Sequence, residues 1–181
     1  MLKQLKEIYY ENEVYRFLIN LIFLVGLYEL AIYIFSIIPG FYYWDLFHLK
    51  VIYNGVDIAE WVLSLMGYEL GEFDNQQYFQ IIGGSVLKAG KPCSGVNLMA
   101  YYTIIILAYP GTIKSKMIFI PVGILLIHLV NVGRYVALAL SDLYTKEYFE
   151  LHHHVIFKAV AYILIFIFWL VYVKVNSRAK S

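Results

Sequence analysis

Charge is scarce in this chain. Asp, Glu, Lys and Arg make up 15% of its 181 residues, against about 25% in an average soluble domain. Apolar residues fill the gap, at 61% with 18% aromatic, where a soluble domain holds about 45–50%. Coating such a chain with water would leave large areas of Leu, Ile, Phe and Tyr outside. That excludes an ordinary soluble globular protein, a disordered tail and a collagen-like fibre. Neither sign of charge dominates, with a net of +1, so there is no basic face for nucleic acid. Cysteine occurs once, at Cys93, which excludes an internal disulfide. Internal repeats and low-complexity linkers are also absent. What remains is an all-α integral-membrane protein.

Four apolar stretches reach or approach the roughly 20 residues that cross a bilayer as a helix. The first, residues 17–38, carries one ionisable residue, Glu29. The second, residues 94–110, lies in a segment with no Asp, Glu, Lys or Arg between Lys91 and Lys114. The third, residues 117–140, contains His128, Asn131 and Arg134. The fourth, residues 155–173, ends near Trp169 and Tyr172, as an aromatic belt would place them. The first stretch is longer than a signal-peptide core and no small-x-small site follows it, so it is expected to be retained as a span.

Basic residues set the expected orientation. If both termini and the 111–116 turn share one side, that side holds Lys3, Lys6, Arg16, Lys114, Lys116, Lys174, Arg178 and Lys180, eight of the 14 basic residues, on short segments. The positive-inside rule then favours four spans with both termini cytoplasmic, in the plasma membrane. The long outer segment, residues 39–92, is more than a loop. Residues 51–66 repeat Val, Ile, Trp, Leu and Met on a helical period interrupted by Asp57 and Glu60, a small outer-face helix that lies on the membrane or re-enters it as a fifth span. Residues 78–82 and 85–87 flank Gly83-Gly84 and read as a β-hairpin with a two-residue turn. The expected architecture is one integral-membrane domain over residues 1–181.

Three polar residues stand out by position. Cys93 is 21 residues before Lys114, Arg134 is 18 after Lys116, and His154 is 20 before Lys174. At 1.5 Å per residue these separations are roughly 31, 27 and 30 Å, each about one hydrocarbon thickness. Thiol, guanidinium and imidazole are therefore expected at the outer ends of three helices, at one depth. Pro92 and Ser94 flank Cys93 as helix-start residues, and the positive end of a helix dipole favours a nucleophilic thiolate. The plainer reading of Cys93 is a small buried apolar residue. Arg134 either faces a partner or cavity, with Asn131 one turn earlier orienting it, or snorkels to the interface. His152, His153 and His154 make a poor metal site, because consecutive helical residues point about 100° apart. They read equally as an interfacial cluster. No His-Glu-x-x-His motif is present. His128 reads as a hydrogen-bonded interior histidine, and Glu29 as an intramembrane carboxylate with no evident partner.

Cys93-Ser94-Gly95, Asn131-Val132-Gly133-Arg134, and His154 followed eight residues later by Tyr162 occur in the order seen in the exosortase/archaeosortase family of integral-membrane cysteine transpeptidases, which the chain resembles over about residues 74–172. It departs in carrying Lys158 where many members have Gly or Asn, and in being shorter than many of them. The resemblance implies a nucleophilic Cys93, proton exchange at His154 or its neighbour His153, and an oxyanion partner in Arg134, with Asn131 and Ser94 in support. It implies no metal or organic cofactor. Its substrates would be exported proteins ending in a sorting motif, a transmembrane helix and a basic cluster. They would be cleaved at the outer membrane face and transferred to water or a surface acceptor, a lipid or polysaccharide. The rival readings are a non-catalytic polytopic subunit, scaffold or transport component, and a different thiol-dependent membrane acyltransferase.

Overall fold

The computed structural model describes residues 13–38, 43–144 and 157–178. The chain is mostly helical, with a small two-stranded sheet. In order, the elements are α1 (Glu13–Ile37), α2 (Tyr43–Leu65), β1 (Tyr78–Phe79), β2 (Leu87–Lys88), a 3₁₀ turn (Lys91–Cys93), α3 (Val96–Ala108), α4 (Ile113–Tyr144) and α5 (Phe157–Arg178). Among the described residues, three segments are helical, long and apolar enough to cross a membrane: Glu13–Ile37, Ile113–Tyr144 and Ala159–Asn176. They correspond to the first, third and fourth stretches expected from sequence.

The second stretch differs. It forms the 13-residue helix α3, about 20 Å long against a hydrocarbon core of about 30 Å. Two local features shorten it. Gly95 has φ +73°, a left-handed conformation that breaks the helix from the preceding 3₁₀ turn. At the other end, Pro110 cannot continue the helical hydrogen bonding and Gly111 follows it.

Two compact units divide the chain. The first comprises residues 1–41, 99–124 and 166–181. Its α1 portion has no buried residue, which suits a helix that is apolar on every side and meets lipid. Aromatic contacts join its segments. Phe17 stacks on Trp169 with ring centroids 5.9 Å apart, and Phe119 meets Tyr172 edge-on at 5.1 Å. The Tyr102 hydroxyl donates to the Phe119 carbonyl at 2.6 Å. Any side chain at Gly123 would overlap the Tyr102 ring. Glu29, without an evident partner in the sequence, accepts a short 2.5 Å hydrogen bond from the Tyr101 hydroxyl.

The second unit comprises residues 42–98 and 125–165 and holds the hydrophobic core. Ile52, Val56, Ala59 and Leu63 form one buried stripe along α2, and Val132, Tyr135 and Ala139 another along α4. Both follow the three-and-four spacing of a helix face. The helix expected at 51–66 thus exists, but starts two turns earlier, at Tyr43. Gly55 permits close helix approach: a Cβ there would come 2.9 Å from the Tyr135 ring.

The hairpin also forms, with a correction. Tyr78 pairs with Lys88 and Phe79 with Leu87, antiparallel, so the connection spans residues 80–86 and is not a two-residue turn. After Phe79 the chain changes partner. Ile81 bridges Leu70, while Gly71 N–H donates to the Gln80 carbonyl and Ile82 N–H to the Glu69 carbonyl. Asp142, buried on α4, then holds the returning chain through the Ser85 N–H at 2.5 Å.

Candidate active site

The second unit places Cys93 at the end of its 3₁₀ turn. Proline at the second position suits that turn, because a missing N–H costs nothing there. The turn is closed by Cys93 N–H to the Gly90 carbonyl at 2.8 Å and Ser94 N–H to the Lys91 carbonyl at 3.1 Å. Cys93 is 8% exposed, and its backbone is held as tightly as its side chain is buried. Its carbonyl accepts hydrogen bonds from Asn131 Nδ2 at 2.7 Å and from the Tyr135 hydroxyl at 2.6 Å. Asn131 Nδ2 also lies 3.3 Å from the Tyr135 oxygen. Residues 131 and 135 are one helical turn apart, so one face of α4 presents both donors.

Arg134 shares that segment of α4. Its Nη2 donates to the Cys93 sulfur at 3.5 Å, within range for a bond to a large, diffuse acceptor. Of the residues singled out by sequence, Cys93, Ser94, Asn131 and Arg134 are brought together. His153 and His154 lie outside the described residues, as does His152. His128 hydrogen-bonds the exposed Asn54 at 2.8 Å, so the expected hydrogen bond is present, but the histidine is half-buried rather than interior.

Ser94 connects the turn to α2. Its Oγ accepts the Val96 N–H at 3.2 Å, covering one of the open donors at the start of α3. The same oxygen lies 2.7 Å from His48 Nδ1. His48 is 5% exposed and sits edge-on to Trp44, with ring centroids 5.1 Å apart. Its pKa is lowered, chiefly by burial and then by the Lys91 ammonium, with Asp45 and a hydrogen bond to the Lys91 backbone opposing. A neutral imidazole follows. Outside, Lys91 and Asp45 form an ion pair of 2.8 Å with both side chains about half exposed.

Gly95 completes the turn. Its φ of +73° is one that side-chain-bearing residues rarely adopt, so the third position of Cys-Ser-Gly has a backbone reason. Two residues of this cluster escaped the sequence reading. Tyr135 carried a usable signal, standing four residues after Asn131 on the same helix face. His48 carried none, because no spacing links it to Ser94. Among the described residues, no group of three or more His, Cys, Asp or Glu side chains is placed to hold a metal ion.

Three long apolar helices define an integral-membrane protein, and its cysteine is buried beside a guanidinium. The family model described as transmembrane exosortase matches residues 20–171. The chain belongs to the transmembrane exosortase family. No match was found among curated proteins or among solved structures.

Proposed function

We propose that this protein is a membrane cysteine peptidase or transpeptidase that removes the C-terminal sorting signal of exported proteins at the outer face of the plasma membrane. The observation that carries the reading is the Arg134 Nη2–Cys93 Sγ contact of 3.5 Å, beside a Cys93 carbonyl fixed by Asn131 and Tyr135. The clamp fixes the backbone at Cys93, and a guanidinium lies beside its sulfur, which supports a role for Arg134 next to the reacting group.

In the proposed reaction His154 or His153 takes the proton of the Cys93 thiol, and the thiolate attacks the carbonyl carbon of the scissile peptide bond. Arg134 stabilises the resulting oxyanion with its N–H donors. The tetrahedral species collapses as the C–N bond breaks, and the leaving amine takes a proton from His154 or His153. That leaves a thioester acyl-enzyme. Water or an acceptor nucleophile gives its proton to the same histidine, attacks the thioester carbonyl and restores the thiol. The topology that serves this chemistry has both termini inside and four crossings, with α3 and its preceding turn forming the second.

The direct test uses an exported protein of the same cell that ends in a motif, a helix and a basic cluster. Cys93→Ala is expected to abolish its processing while the variant stays in the membrane in normal amount. Full processing by Cys93→Ala would remove the nucleophile. Reporter fusions after Lys116 and after Asp142 are expected to report opposite sides of the membrane, and matching signals would remove the topology.

A further inference from the structure

Cys93 lines a cavity of about 230 Å³ together with Phe79, Leu87, Ala89, Tyr135 and Leu138, with the more exposed Val86 and Lys88 completing it. Close-packed protein interiors leave few spaces larger than a water molecule. The volume is below the roughly 300–1,000 Å³ of small-molecule sites, and suits one side chain. The walls are almost entirely apolar. The Tyr135 hydroxyl is committed to the Cys93 carbonyl, and the Lys88 ammonium lies 5.3 Å over the Tyr78 ring. Neither is directed to an occupant of the cavity.

We infer that this cavity is a specificity pocket: it receives one uncharged, medium-sized apolar side chain of the substrate, on the residue whose carbonyl Cys93 attacks. The inference rests on the reading of Cys93 as the nucleophile and adds what that reading lacks, the chemical class of the substrate residue at the cleavage point. Three observations support it. Cys93 itself lines the cavity, so an occupant is next to the proposed nucleophilic residue. The hairpin forms the wall opposite α4, which gives the paired β1–β2 segment a reason to exist beside the site. A carboxylate placed among these walls would lose its hydration, with only the exposed Lys88 at the rim to offset the loss, which apolar sites penalise.

Because Cys93 is the only cysteine, S-alkylation of the whole protein in detergent, assigned to the Cys93 peptide by mass, reports on this site alone. Peptidyl chloromethyl ketones carrying glycine, leucine or aspartate at the reactive residue place that side chain beside the thiol. The thiolate forms a C–S bond as chloride leaves. Iodoacetamide, which carries no side chain, measures intrinsic thiol reactivity. The leucyl probe is expected to react at least about tenfold faster than the glycyl probe, the order of discrimination apolar pockets achieve, and the aspartyl probe slower than both. Val86→Phe and Ala89→Leu reduce the cavity from its exposed and buried sides, and each is expected to bring the leucyl-to-glycyl ratio towards one. Val86 is 50% exposed, so its variant tests the pocket even if Ala89→Leu fails to fold. A ratio near one in the unmodified protein, with iodoacetamide still reacting, overturns the pocket alone. So does a high ratio that Val86→Phe leaves intact. A Cys93 inert to every reagent overturns the nucleophile reading and the pocket together.

Discussion

Arg134 reaches Cys93 across 41 residues of sequence, with Nη2 3.5 Å from the sulfur. A guanidinium offers five donors in a planar fork, so it can keep one contact while binding an oxyanion with another. Lysine keeps the charge but not the fork. Arg134→Lys is therefore expected to insert normally and to lose processing by about 100–1,000-fold, the usual cost of one oxyanion donor. If the arginine merely snorkels, lysine serves as well. Near-normal processing by Arg134→Lys, quantified in cells at matched protein amount, would establish that outcome instead.

The clamp on the Cys93 carbonyl makes a different claim. Asn131 and Tyr135 each supply one hydrogen bond to it. Tyr135→Phe or Asn131→Leu alone leaves the other donor in place, and each is expected to cost about 0.5–1.5 kcal/mol. The double variant takes both donors from a buried carbonyl. Its loss is expected to exceed the sum of the singles by at least about 0.5 kcal/mol, as for neighbours sharing one network. Thermal midpoints of the four proteins in one detergent decide it, and simple additivity would mean that the two residues do not share the carbonyl.

How much of this arrangement was legible beforehand differs residue by residue. The long helices were visible because apolar runs of bilayer length have few other uses. The α2 stripe of Ile52, Val56, Ala59 and Leu63 was visible in its period. Cys93, Ser94, Asn131 and Arg134 were legible as short motifs, and Ser94 caps α3 as its position suggested. The hairpin was only half legible. Gly83-Gly84 marks a turn in sequence, but the exchange of partners between Leu87 and Leu70 depends on contacts no local rule contains. The second apolar stretch was legible as an apolar helix but not in its length, since hydropathy does not register the left-handed φ of Gly95 that delays its start to Val96. His48 was illegible for a similar reason: its contact with Ser94 spans 46 residues and two separate elements.

Two glycines in the motif-bearing segments are expected to respond oppositely to one substitution. Gly95 has φ +73°, and a Cβ there would meet Asn131 no closer than 3.6 Å. The cost of Gly95→Ala is thus backbone strain, about 1–2 kcal/mol, rather than a clash. Gly133 lies inside α4, and a Cβ added there would meet nothing within 4 Å. Gly133→Ala is expected to be neutral or stabilising by up to about 1 kcal/mol, the helix-propensity difference. Thermal midpoints check both. A stabilised Gly95→Ala would refute the account of Cys-Ser-Gly as a backbone requirement.

His48 connects pH to the same turn. Its pKa lies below the ordinary 6.5 because it is buried, with Lys91 adding to the shift and Asp45 and the Lys91 backbone opposing it. The unfolded chain therefore takes up this proton at a higher pH than the folded one. Between the two pKa values the unfolded state binds more protons, and stability rises with pH. The contribution is complete above about pH 6.5, declines as pH falls, and stops declining below the folded pKa. A protonated His48 would also bring a buried charge against the Ser94 oxygen that caps α3. Glutamine can replace the hydrogen bond to Ser94 but does not titrate. Apparent thermal midpoints at a fixed scan rate are expected to fall more steeply from pH 7 to pH 5 in the unmodified protein than in His48→Gln. Carboxylates and the other histidines titrate in both proteins, so the difference between the curves isolates this residue. Parallel curves would show that His48 carries no pH-dependent stability.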